Sequence, residues 1–181
     1  MLKHLSLFFI LLLPPVMLAA QTCLELPPRA TEKARLLATI LAAPDEITSR
    51  FASRALFEFW ATAPDDNAQE LLDSGMSKRA AFDFGAANLA FDALIDYCPT
   101  YAEGYNQRAF VRFLQADFVA ALDDLETTIE LAPNHIAALA GMALTLHQLG
   151  RSQATQQVLR RALRLNPWLP ERNLLLQDDE L

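Results

Sequence analysis

Residues 100–133, TYAEGYNQRAFVRFLQADFVAALDDLETTIELAP, are followed by residues 134–167, NHIAALAGMALTLHQLGRSQATQQVLRRALRLNP. The two stretches have equal length and each ends in proline. Pro99, Pro133 and Pro167 are thus spaced by 34 and 34. A fixed internal period of this length marks stacked helix–turn–helix units. Alignment on the prolines defines three units, 68–101, 102–135 and 136–169. Other positions fall into the same register. Asp83-Phe84 recurs as Asp117-Phe118, and Gly75, Ala109 and Ala143 share one small-residue position. Ala87 matches Ala121; Phe91 matches Leu125 and Leu159; Tyr97, Leu131 and Leu165 each stand two residues before a proline.

Apolar residues at helical spacing predict two helices per unit: 68–81 and 84–97, 102–115 and 118–131, 136–149 and 152–165. The small residues let paired helices approach closely. Asp83 and Asp117 stand where second helices begin and can cap their free amides. Each proline ends its pair, because it lacks an amide donor and disfavours helix one residue before itself. Gly150 makes the turn inside the third unit. Two further helices are expected upstream, over 29–43 and 47–63, either as a cap on the open end of the stack or as a degenerate fourth repeat. A short helix over 171–177, with Leu174, Leu175 and Leu176, is expected to close the other end. Such arrays need caps because each unit touches only its neighbours.

This pattern resembles the tetratricopeptide repeat (TPR) family. The residues that carry the resemblance are Leu71, Gly75, Ala87, Phe91 and Pro99 in the first unit, then Tyr105, Ala109, Ala121, Leu125 and Pro133 in the second. The third contributes Leu139, Ala143, Leu146, Leu159, Ala162 and Pro167. Lys78 and Arg112 depart from it, standing where the family has an aromatic or aliphatic residue, and Thr155 replaces a small alanine. The implied fold is all-α, a right-handed α-solenoid of antiparallel helix pairs. The resemblance also implies a concave face lined by the first helix of each pair. Mapped here, that face carries Gln69, Leu72, Met76 and Arg79, then Glu103, Asn106, Phe110 and Phe113, then Ala137, Ala140, Leu144 and His147. Leu72, Met76, Phe110, Phe113 and Leu144 would be apolar anchors, with Arg79, Asn106 and His147 as polar markers. Such a strip suits an extended or helical peptide segment. The competing expectation is that the N-terminal helices or the C-terminal tail fold over this strip and make it core.

Composition narrows the function classes. The chain has 181 residues, 52% hydrophobic and 20% charged, with 5 glycines and a net charge of −7. That excludes collagen-like and highly charged disordered classes and argues against a sheet-rich fold. The acidic balance argues against nucleic acid as a partner. The phenylalanines read as core candidates of a helical stack, Phe51, Phe57, Phe82 and Phe84 among them. Asp123, Asp124 and Glu126 read as a solvated helix face. His135 and His147 stand too far apart for a metal-binding pair on one helix, and no Gly-rich phosphate loop, GxSxG or HExxH is present. The expectation is a chain that is no enzyme and uses no cofactor or metal.

Residues 1–20 read as a signal peptide: Lys3 and His4, an apolar run over 5–13, paired prolines, then a small-residue end at Ala19-Ala20. The segments that follow are 21–66 (N-terminal segment and helix pair), 67–169 (the repeats) and 170–181 (C-terminal cap and acidic tail). Export is expected, to the bacterial periplasm, with no membrane insertion after cleavage. Asp178-Asp179-Glu180-Leu181 resembles a retention signal and keeps the endoplasmic reticulum lumen as the alternative. Export permits a disulfide between Cys23 and Cys98, the two cysteines of the chain. The expected function is a protein-interaction module binding a peptide segment in its groove. The alternative is a structural or assembly subunit held permanently in a larger envelope complex.

Overall fold

The computed structural model describes residues 23–24 and 29–176. The segment read as a signal peptide and the acidic tail at 178–181 lie outside the described residues. The described residues form eight α-helices and one terminal 3-10 turn, with no strand. The helices are α1 (Ala30–Leu41), α2 (Glu46–Trp60), α3 (Asp66–Ala80), α4 (Phe84–Tyr97), α5 (Ala102–Leu114), α6 (Phe118–Leu131), α7 (Ile136–Gln148) and α8 (Ser152–Leu165); the 3-10 turn is Pro170–Leu174. Helices α3/α4, α5/α6 and α7/α8 form the three pairs, and α4 packs on α5 and α6 on α7. This is an all-α repeat solenoid.

Local chemistry explains the boundaries. Asp83 and Asp117 accept from the amides of Ala86 and Ala120 and so cap α4 and α6. Asp45 and Asp65 cap α2 and α3 in the same way. The first helix of every repeat ends in a left-handed residue at one register position: Phe82 (φ 61°), Ala116 (φ 60°) and Gly150 (φ 70°). The bonds are those of a Schellman turn. Asp83, Asp117 and Arg151 amides reach back to the carbonyls of Lys78, Arg112 and Leu146. Only the third repeat uses glycine there. Phe82 and Ala116 hold the same backbone at a steric cost of ~1–2 kcal/mol each.

Close packing inside the first pair rests on Gly75. A Cβ built at Gly75 would meet Phe91 Cε1 at 2.4 Å, and Phe91 is itself fully buried among Leu72, Leu94 and Val111. Several expected core aromatics are elsewhere. Phe51 is 72% and Phe82 80% exposed. Phe51 is on the outer side of α2, and Phe82 is lifted off the stack by its left-handed backbone. Asp124, expected in a solvated face, is buried. It takes Arg108 at 2.6 and 3.0 Å and Arg112 at 2.7 Å, which ties α5 to α6 and explains the departure at Arg112.

The N-terminal pair is neither a fourth repeat nor an end cap. It lies as a hairpin along the turns that join the repeats. Tyr101 donates its hydroxyl to the Trp60 carbonyl at 2.6 Å, and the His135 ring stacks on the Trp60 ring at 4.6 Å. Leu169 packs into the cluster of Leu36, Ile40, Ala52, Leu56 and Ile136. Tyr101, His135 and Leu169 are spaced by 34 and 34. One register position in each repeat therefore contributes to the seat of the hairpin. At its tip, Asn166 bonds Ser49 and Ser53, Trp168 Nε1 donates to the Ala43 carbonyl, and Arg172 pairs with Glu46 at 2.9 Å. The short helix expected over 171–177 is instead the 3-10 turn, and none of its residues is buried. Leu174 and Leu176 still run along α8, where the Gln156 side chain donates to the Leu174 carbonyl and accepts the Leu176 amide, both at 2.9 Å, while Trp168 and Leu169 pack against the hairpin.

At the root of the hairpin the amide of Leu24 and the hydroxyl of Tyr97 both donate to Asp65 Oδ2 at 3.1 Å. The amide bond from Ala68 and then that from Leu24 hold the Asp65 carboxyl below its usual range. Beside it, Cys23 and Cys98 have Cα atoms 5.1 Å apart, within the span of a disulfide.

Gly75→Ala should lower stability by ~1–3 kcal/mol, because crowding against Phe91 outweighs the helix-propensity gain. Denaturant unfolding reads this directly, and a stabilised variant would contradict the packing described. Ala116→Gly should act the other way, raising stability by relieving the left-handed backbone. An unchanged or lower midpoint would mean that Ala116 is not strained.

Candidate functional site

The first helices of the repeats and the hairpin enclose a cavity of about 410 Å³ on the concave side. Arg79 enters it from α3. Asn106, Gln107, Ala109, Phe110 and Phe113 come from α5, and Ala137, Ala140, Gly141, Leu144 and Thr145 from α7. Leu125 of α6 forms part of the wall. Phe57 of α2 and the run Leu169, Pro170 and Glu171 complete it. The surface is apolar apart from Arg79, Glu171 and a few amide and hydroxyl groups.

Five of the eight expected groove residues meet here: Arg79, Asn106, Phe110, Phe113 and Leu144. Three do not. Leu72 is fully buried beneath the face, in a cluster with Ala63 from the turn leading out of α2. Met76 packs against the same cluster, and His147 is exposed outside the lining. Phe57, Leu169, Pro170 and Glu171 had no signal in the repeat register, since the hairpin and the end turn bring them in. The competing expectation holds in part: the N-terminal hairpin narrows the concave face to a cavity, yet Phe110 stays 48% exposed.

Behind the cavity lies a buried polar chain. Glu103 is 0% exposed, and its carboxylate accepts from His135 Nε2 at 2.8 Å, Asn106 Nδ2 at 3.1 Å and Gln107 Nε2. His135 Nδ1 accepts the Ala138 amide at 3.2 Å and caps α7, so the ring proton is assigned to Nε2. A buried carboxylate is tolerated only when its lone pairs are filled in this way. Gln107 in turn accepts from Arg79. The Arg79 guanidinium stacks on the Phe110 ring at 4.8 Å. Burial pushes its pKa down, opposed by the charge of Glu103. Among the described residues Arg79 forms no ion pair.

The arrangement can bind. Phe110 and Phe113 supply apolar surface on the middle repeat, the latter ring braced edge-on by Phe118 at 5.4 Å. Thr145 spends its hydroxyl on the Gly141 carbonyl, and no nucleophile sits beside a base among the described lining residues.

No family model matches the chain. A TPR repeat-containing protein of Rhizobium etli is 34% identical over 88 residues, 49% of this chain and 40% of that protein. A tetratricopeptide repeat protein 36 homolog of Nematostella vectensis is 41% identical over 81 residues, 44% of this chain and 45% of that one. The chain spans about half the length of these curated relatives. Among solved structures, the first TPR of Spaghetti (RPAP3) bound to the HSP90 peptide SRMEEVD superposes with a TM-score of 0.58 at 18% identity, over 60% of this chain and 90% of that one. The TPR2B domain of yeast Sti1, in its pHsp70 complex, gives 0.56 at 23% identity, over 61% and 91%. At such identities the likeness is one of fold.

Proposed function

We propose that this chain, whose repeats are similar to those of tetratricopeptide-repeat proteins, is a non-enzymatic interaction module that seats a peptide segment of a partner protein in the concave cavity. Phe110 carries this reading. A large apolar ring, half exposed on the middle repeat and flanked by an apolar cavity, is placed as binding energy concentrates: centrally, with neighbours that exclude water. The solved neighbour with an HSP90 peptide supports it, since that fold accepts a peptide. We also propose that the chain is exported, to a periplasm, and that Cys23 and Cys98 are oxidised there. Support comes from the signal-like residues 1–20 and from the proximity of the two cysteines at the hairpin root. No helix among the described residues is long and apolar enough to cross a membrane.

Phe110→Ala should weaken capture of the native partner by about thirtyfold, the loss of a ~2 kcal/mol hot spot. The melting temperature should hardly change, because the ring is half exposed. A photo-crosslinking residue at position 144 in cell-envelope extracts, followed by mass spectrometry, identifies and quantifies the partner. Unchanged capture would sink the reading, and so would a collapsed melt, which would assign the ring to the core. Protein isolated without reductant should show no free thiol, and reduction should lower its stability, by up to ~4 kcal/mol for a separation of 75 residues. Two titratable thiols in fresh protein would remove the oxidised pair.

A further inference from the structure

The cavity is apolar along its middle and carries opposite charges at its two ends. Arg79 comes from the first repeat, and Glu171 from the turn that follows the third. The two do not pair with each other or with any other described charge. Arg79 is half-buried and spends one donor on Gln107. The nearby Glu103 carboxylate is already filled by His135, Asn106 and Gln107. At the other end Glu171 Oε2 is buried and accepts no hydrogen bond.

A guanidinium taken out of water without a carboxylate is costly, and so is a carboxylate oxygen without a donor. Neither residue has an ion-pair partner among the described residues, and both line the same cavity. Its volume of about 410 Å³ is at the small end for ligand sites, which run from ~300 to 1,000 Å³. Phe57 and, from the other end of the chain, Leu169 and Pro170 line it with apolar groups that suit the bulky side chains of a short segment.

Resting on the peptide-binding reading above, we propose that the cavity selects a dipolar segment: an acidic residue at one end, bulky apolar side chains between, and a basic residue at the other end. Arg79 receives the carboxylate, and Glu171 receives the ammonium or guanidinium. Arg79 and Glu171 are then specificity residues, while Phe110 supplies affinity. The Glu103–Gln107 chain acts as a positioning device that holds Arg79 against Phe110.

The test uses the full chain and four capped tetrapeptides, with binding read by NMR titration: Glu-Leu-Phe-Lys, Lys-Leu-Phe-Lys, Glu-Leu-Phe-Glu and the neutral Gln-Leu-Phe-Gln. The dipolar peptide should bind tightest. Arg79→Glu should move the preference to the doubly basic peptide, and Glu171→Lys to the doubly acidic one. Each preference should shift by about tenfold or more, as expected for reversing a desolvated charge contact. If Arg79→Glu fails to fold, Arg79→Gln keeps the test, since it should erase the advantage of the acidic end. Equal binding of the four peptides, or a ranking that neither charge reversal alters, overturns the proposal. Binding lost in Phe110→Ala would then still uphold the broader reading. If none of the four binds, the dipolar proposal falls. Whether partner crosslinking at position 144 persists then decides the broader reading separately.

Discussion

His135 is the point at which the repeats, the hairpin and the cavity meet. Its Nδ1 takes the Ala138 amide and starts α7, its Nε2–H goes to Glu103 on α5, and its ring face carries Trp60 from α2. The first is a local cap, and the other two join α7 to α5 and to α2. Both nitrogens are engaged and the ring is 1% exposed, so the imidazole holds one orientation. Glu103 is thereby kept in place and fixes the amides of Asn106 and Gln107, which line the cavity. Gln107 then sets Arg79 against Phe110. From His135 to Arg79 the path is a run of hydrogen bonds, joined to the hairpin by the Trp60 ring stack and to the cavity rim by the Phe110 ring.

The hairpin turns a one-dimensional array into a closed body. In a bare solenoid each repeat touches only its neighbours, so the ends are weakly held. Here the root of the hairpin sits beside the first repeat, where Leu24 and Tyr97 converge on Asp65, and the tip reaches the residues just after the third. Contacts of long sequence separation, such as Ser49 with Asn166, tie one end of the molecule to the other. The same hairpin narrows the concave face by lending it Phe57. The concave face is therefore narrowed to a cavity.

The repeats are equivalent in backbone and unequal in chemistry. All three pass through a left-handed residue at one position, yet only Gly150 adopts it without steric cost. Arg112 takes a place that an apolar residue would fill in a regular repeat, and Asp124 and Arg108 complete a buried ionic brace between α5 and α6. Such a brace adds little net stability over well-packed apolar groups, but losing one member leaves the others uncompensated.

The solenoid was legible in the sequence. A proline every 34 residues, small residues at Gly75, Ala109 and Ala143, and aspartates before α4 and α6 are local signals, and local physics turns them into helices, turns and close pairs. Five groove residues were legible for the same reason, since repeat register places Arg79, Asn106, Phe110, Phe113 and Leu144 on one face. The rest depended on contacts between distant residues. Nothing in the neighbourhood of Phe57 or Glu171 marks them as cavity walls, and Leu72 reads like its register mates although Ala63 covers it. Tyr101, His135 and Leu169 share a period, but the period carries no sign of what will lie across it. That is decided by where α1 and α2 bury their apolar face, against Ile136, Leu165 and Leu169, and these are contacts between residues far apart in the chain that only the tertiary structure contains.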